Sequence, residues 1–232
     1  MDITNKNLWV LFTLGDTTVY VTQTLLSTWV VMACLIAFTV IVRIRLRKFR
    51  GVPRGFQNVI ETLVEMMRTF ARETLGDELE HWGAYFFGAF AFILFSNYIG
   101  LLPFNLRPPT ADLATTGALA LITFLLIHGL GLVRQKGKYI KSFVEPIAFF
   151  LPINIIGEIA KPLSLAFRLF GNILSGVIIA GMLYGMLPLA LRFILPDVAH
   201  VWFDILVGAL QTYVFTTLSM TFIQQKSSDI FA

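Results

Sequence analysis

From Val19 to Val42 the chain runs for 24 residues without a charged side chain, and then meets Arg43, Arg45, Arg47, Lys48 and Arg50. A bilayer core of ~30 Å takes ~20 apolar residues of helix. A cleaved signal segment carries its basic residues ahead of the apolar run, so this stretch reads as a membrane anchor that stays. Trp82–Leu106 and Leu113–Val133 are two more uncharged spans, apart from His128, joined as a hairpin by Arg107-Pro108-Pro109-Thr110-Ala111-Asp112. Only 14% of residues are charged and 56% are hydrophobic, against ~25% charged in a soluble domain. Disorder and a disulfide scaffold are excluded by the same balance and by the single cysteine, Cys34. Cys34 reads as a small packing residue in the first span.

Residues 55–76 follow another pattern. Phe56, Val59, Ile60, Leu63, Val64, Met67 and Phe70 recur at helical spacing, with Glu61, Glu65, Arg68, Arg72 and Glu73 on other faces and Gly76 as a stop. An amphipathic helix on the membrane surface fits, as does packing against a soluble partner. Residues 143–187 are too long for one upright span, roughly 67 Å as a continuous helix. No turn cluster follows Pro162, which favours a long tilted helix over a hairpin within the membrane. Pro188–Pro196 makes the next turn, and residues 197–225 form the last long helix. The expectation is a single all-α integral membrane domain with five crossings, one amphipathic surface helix and two long tilted C-terminal helices.

The net charge of +4 comes from 18 basic and 14 acidic residues. Thirteen Lys and Arg fall on the side that holds residues 43–72, 134–141 and Lys226, against Lys6, Arg107 and Arg192 on the other. Under the positive-inside rule the N-terminus faces outward and the C-terminus faces the cytoplasm. Placed this way, the excess sets topology and gives no sign of nucleic-acid binding.

Arg168 stands out. It lies deep in an apolar helix, and an arginine keeps its charge there. Lys161, Arg168, Asn172 and Ser175 share one helical face, a stripe of donors without a carboxylate near Arg168. On the last helix Asp204, Gly208, Gln211 and Phe215 share a face. Two readings stay open: an internal Arg168–Asp204 ion pair, and a polar stripe built for a moving ion. A structural buried pair is often no better than apolar packing, which favours the second.

Pro162-Leu-Ser-Leu-Ala-Phe-Arg168-Leu-Phe-Gly171-Asn172 closely resembles the signature of subunit a of bacterial-type F-type rotary ATP synthases. Asn97-Tyr-Ile-Gly100-Leu-Leu-Pro103, Pro109-Thr-Ala-Asp112 and Gln211 agree in order and spacing, and the likeness covers residues 19 to 225. The resemblance implies an ion-translocating stator in the cell membrane whose two long helices face a ring of c subunits. It also implies peripheral-stalk b subunits and a soluble catalytic sector as further partners. Arg168 would face the carboxylate of each c subunit. Asn172 and Gln211 look like its polar neighbours, orienting it or acting as interhelical glue. Asp112 and Asp204 become linings of an outer half-channel, with His200 one turn before Asp204. Glu158 and Lys161 lie toward the inner exit, or form a local i, i+3 pair. The chain departs from the family pattern at Val177, where many members carry glutamate, and at Asp204, where many carry histidine.

His81 and His128 read as structural residues, and Gly181-Met-Leu-Tyr-Gly185 matches a close-packing spacing of membrane helices. The sequence has no phosphate-binding loop, no HExxH or CxxC motif and no recognisable nucleophile triad. No catalytic residue, metal or cofactor is therefore expected. The competing reading is a stand-alone secondary transporter with a midplane site at Arg168, although no internal repeat is visible.

Overall fold

A computed structural model describes residues 7–14, 17–46, 54–101, 106–144, 148–186, 188, 198 and 201–228. Strands β1 (Asn7–Leu14) and β2 (Thr17–Thr22) pair antiparallel, Val10 opposite Tyr20 and Leu14 opposite Thr17. The helices are α1 (Gln23–Leu46), α2 (Phe56–Leu75), α3 (Gly83–Tyr98), α4 (Leu113–Gln135), α5 (Gly137–Ser142), α6 (Leu151–Met186) and α7 (Gly208–Ser228). A 3₁₀ turn, Asp77–Trp82, leads into α3, and a π-helix, Val201–Val207, leads into α7. Among the described residues five helical stretches are long and apolar enough to cross a membrane: Gln23–Leu46, Asp77–Leu101, Leu113–Gln135, Leu151–Met186 and Trp202–Ser227. The protein is an all-α integral membrane protein carrying one short hairpin.

The hairpin departs from the helix that hydropathy predicts from Val19. The β-branched run Thr17, Thr18, Val19, Val21 and Thr22 favours a strand, so the first helix starts at Gln23 and not at Val19. Thr22 caps it, its Oγ1 accepting from the Leu25 amide at 3.3 Å. At the other end α1 continues through Arg43 and Arg45, good helix formers. The long segment begins its helix at Leu151 and passes unbroken through Pro162 to Met186. Its 36 residues measure about 54 Å at 1.5 Å per residue.

The chain forms two compact units. The first comprises residues up to Arg50, Phe90–Asp112 and Phe170–Thr212. In it Asn97 is fully buried and its amide is fully used. Nδ2 donates to the Gly208 carbonyl (3.0 Å) and to Thr212 Oγ1 (3.3 Å), while Oδ1 accepts from Thr110 Oγ1 (2.7 Å). Such satisfaction is what a buried amide requires.

The second unit comprises Gly51–Ala89, Leu113–Leu169 and residues from Tyr213 on. Its core gathers Ala71, Leu75, Leu79, Phe86, Ile127, Met220 and Ile223. On α2 the buried residues Ile60, Met67, Ala71 and Leu75 make a narrow stripe, and Val59, Leu63, Val64 and Met66 stay exposed. Gly76 ends α2 as expected, at φ 82°, its N–H bonded to the Arg72 carbonyl. Arg68 and Arg72 both pair with Glu80 beyond that turn.

At the end of α4, Lys136 adopts φ 48° and α5 folds Tyr139 back over the helix. The Tyr139 ring lies where a Cβ on Gly131 would sit, at 2.5 Å, so only glycine admits this buried tyrosine. Gly131→Ala is expected to lower stability by ~1–3 kcal/mol through overpacking. The measurement is the thermal unfolding midpoint of the purified protein in detergent, with Gly129→Ala, where a Cβ meets nothing within 4 Å, as the comparison.

Candidate functional site

Helix α6 buries Leu165, Ala166 and Leu169 and turns Ile156, Ile159, Leu163 and Phe167 outward. Arg168 is exposed among these outward apolar side chains. Among the described residues of its unit, the guanidinium makes no ion pair or hydrogen bond. It borders a cavity of about 250 Å³ with Gly157, Ala160, Lys161, Ser164, Leu165, Leu218 and Phe222. A second cavity of about 440 Å³ is lined by Phe143, Ile153, Asn154, Gly157, Glu158, Lys161 and Lys226. Gly157 and Lys161 line both.

Glu158 anchors the larger cavity. Lys161 Nζ and Lys226 Nζ both reach Glu158 Oε1, at 2.9 and 2.8 Å. The i, i+3 pair is therefore present, and α7 adds a second lysine to it. Two ammonium groups on one carboxylate leave this cluster one positive charge in excess. Pro162 has no amide hydrogen to give the Glu158 carbonyl, which loses its helical donor beside the same cavity. Lys226 also lies 5.7 Å from the Tyr139 ring centroid and 5.3 Å from that of Phe143, within cation–π range. Burial, with the Glu158 charge adding to it, pushes the Tyr139 phenol up to about 12. The phenol thus stays protonated at neutral pH and is hydrogen-bonded to His128 Nδ1. The other ring nitrogen of His128 is buried and lacks a partner among the described residues.

In the first unit Asn172 Nδ2 donates to Gln211 Oε1 at 2.6 Å. Gln211 is buried, and its Nε2 lacks a partner among the described residues. Asp112 accepts from Thr24 Oγ1 at 2.8 Å. Asp204 is half-buried within the π-helix, so the α-helical spacing that set it on one face with Gln211 does not apply at its position. Gly208, Gln211 and Phe215 do share a buried face of α7. His200 lies outside the described residues. Among those described, no group of three His, Cys, Asp or Glu side chains is placed to hold a metal.

A family model described as "ATP synthase A chain" matches residues 25–224. The chain belongs to the ATP synthase A chain family. One relative, ATP synthase subunit a of Moorella thermoacetica, is 35% identical over 92% of this chain and 93% of its own length. ATP synthase subunit a 1 of Syntrophotalea carbinolica is 40% identical over 84% and 81%. A chloroplastic ATP synthase subunit a, from Stigeoclonium helveticum, is 36% identical over 89% and 85%.

Within this member of the family, several site residues had no signal of their own in the sequence. Lys226 counts there only toward orientation, and nothing in a separation of 68 residues from Glu158 joins the two. Tyr139 and Thr24 are equally silent. Asn97, Thr110 and Gln211 belong to matching segments, yet the Asn97–Thr110–Thr212 network emerges only when α3, the following turn and α7 are folded together.

Proposed function

We propose that this chain is the ion-translocating stator subunit of the membrane sector of a rotary ATP synthase, with no catalytic site of its own. It presents two half-channels to the carboxylates of a c-subunit ring. The observation that carries this reading is Arg168, exposed on an apolar flank of α6 without an acidic partner in its unit among the described residues. A permanent cation in such a place calls for a counter-charge supplied from outside.

A passing carboxylate ~4 Å from Arg168, at an effective dielectric of ~20, gains ~4 kcal/mol in its ionised form. That corresponds to about three pKa units, enough to make it release its ion. The same fixed charge bars ions from crossing directly between the half-channels, so they travel around the ring. Lysine would be a weaker substitute, since burial can discharge it. Asn172, bonded to Gln211, orients this polar stripe. Asp112 and Asp204 line the outer half-channel, with His200 assigned there from sequence. Glu158, Lys161 and the two cavities that share Gly157 form the inner one.

The excess of basic residues on one side supports a plasma-membrane protein with its N-terminus outside and C-terminus in the cytoplasm. Peripheral-stalk b subunits and the soluble catalytic sector complete the assembly. Purification in mild detergent tests the assignment: a small proteolipid ring and ATPase activity should co-elute with the chain. Ion transport by the chain alone in liposomes would replace this reading with a secondary transporter.

A further inference from the structure

We propose that Lys226 is a positioning residue that sets the electrostatic potential of the inner cavity, holding it positive and thereby restraining entry of cytoplasmic cations. The inference deepens the inner half-channel reading and rests on it. Four observations lead to it.

First, Lys226 and Lys161 share a single oxygen of Glu158. Lys161 alone would neutralise that carboxylate, so the ammonium of Lys226 is the charge in excess. Second, Lys226 is tightly placed: its side chain is 17% exposed, set against the rings of Tyr139 and Phe143. Third, the backbone around it is tied. Gln135 Nε2 donates to the Lys226 carbonyl, and Arg134 donates to Ser227 Oγ at 2.8 Å and pairs with Glu78. Fourth, the cavity it lines shares Gly157 and Lys161 with the cavity that Arg168 borders. Other charged or titratable groups facing Glu158 are His128 from α4 and Tyr139 from α5.

A charge at the mouth of a low-dielectric cleft changes the local concentration of mobile ions there. Removing Lys226 while keeping the Glu158–Lys161 pair takes the cluster from one positive charge to none. Cytoplasmic cations should then enter more readily, and ATP-driven pumping should saturate at a cation concentration lower by about threefold to tenfold.

The test uses the assembled enzyme in inverted membranes, with Cys34, the lone thiol, replaced by alanine. Gly157→Cys places a thiol on both cavities at a position where a Cβ meets nothing within 4 Å. Its reaction rates with a trimethylammonium and a sulfonate methanethiosulfonate reagent report the local potential, and pumping after reaction reports whether the cavity carries ions. Lys226→Met should shift the rate ratio toward the cationic reagent by about threefold to tenfold and lower the half-saturating cation concentration. Lys226→Arg should leave both as in the parent. Lys226→Gln, which keeps a donor for Glu158, gives the same reading as methionine should that variant fail to assemble. An unchanged ratio and unchanged half-saturation in the neutral variants would overturn the role of Lys226. Pumping that survives full modification of the thiol would overturn the inner path itself, while the rate ratio still decides whether Lys226 sets the potential.

Discussion

Arg168→Ala should abolish ion-driven ATP synthesis, to below about one hundredth of the parent rate, with the complex still assembled. The estimate follows from the charge alone. The interaction assigned to Arg168 is ~4 kcal/mol, and each ~1.4 kcal/mol is a factor of ten in rate. Under the proposed mechanism, a ring carboxylate without that partner keeps its ion and does not pass Arg168. ATP-driven pumping should fall in parallel. Arg168→Lys should retain a small fraction, because an ammonium still carries charge but is discharged more readily on burial. Because Arg168 is exposed and the neighbouring core is made by Leu165, Ala166 and Leu169, the alanine variant should remain folded and detectable in the purified complex. Normal coupled synthesis in that variant would sink the mechanism.

Asp204→Asn should lower ion-driven synthesis by on the order of tenfold, the factor that ~1.4 kcal/mol carries. The family resemblance puts histidine at the position of Asp204 and glutamate at that of Val177 in many members, and we propose that a carboxylate has moved between two elements of one polar region. The packing supports this. A Cβ on Gly176 would lie 3.0 Å from that of Phe203, which brings the neighbours of Val177 and Asp204 together. Both residues are half-buried in the same unit. Adding Val177→Glu to the asparagine variant should restore part of the rate, and Asp204→Glu should stay near the parent. The readout is ATP synthesis driven by an imposed ion gradient. Full synthesis in Asp204→Asn would end the relocation idea.

The parts of the fold visible in the sequence were those set by long-range composition. Uncharged runs such as Leu113–Val133 are almost unambiguous, because the bilayer demands a length and an apolarity that little else requires. The helix stop at Gly76 was visible because a positive φ has few chemical solutions. Failures came where short polar or β-branched segments decide the outcome. Thr17–Thr22 extends an apolar stretch by hydropathy, yet its branched side chains pair as a strand. The π-helix around Asp204 has no periodic signature, so α-helical spacing is not the rule that relates Asp204 to Gln211.

The site divides in the same way. Arg168, Asn172 and Gln211 were readable because an intramembrane polar residue needs a reason to be there. Lys226 was not, because a lysine near the end of an apolar helix ordinarily marks an interface and little more. It lies over the ring of Tyr139, which α5 and the positive φ of Lys136 bring back against Gly131.

The buried amide of Asn97 has a mechanical consequence. In the proposed rotary role the chain has to resist shear from the ring it faces, and apolar helix surfaces slide past one another with little penalty. Here three hydrogen bonds join Asn97 to Thr110, Gly208 and Thr212, and their directions differ. Moving the start of α7 axially by one turn, ~5.4 Å, would take both acceptors from Asn97 Nδ2 while Oδ1 keeps Thr110, at ~1–3 kcal/mol for each polar group left unsatisfied. The amide therefore works as a detent, giving the junction of the π-helix and α7 one axial position and a restoring force about it.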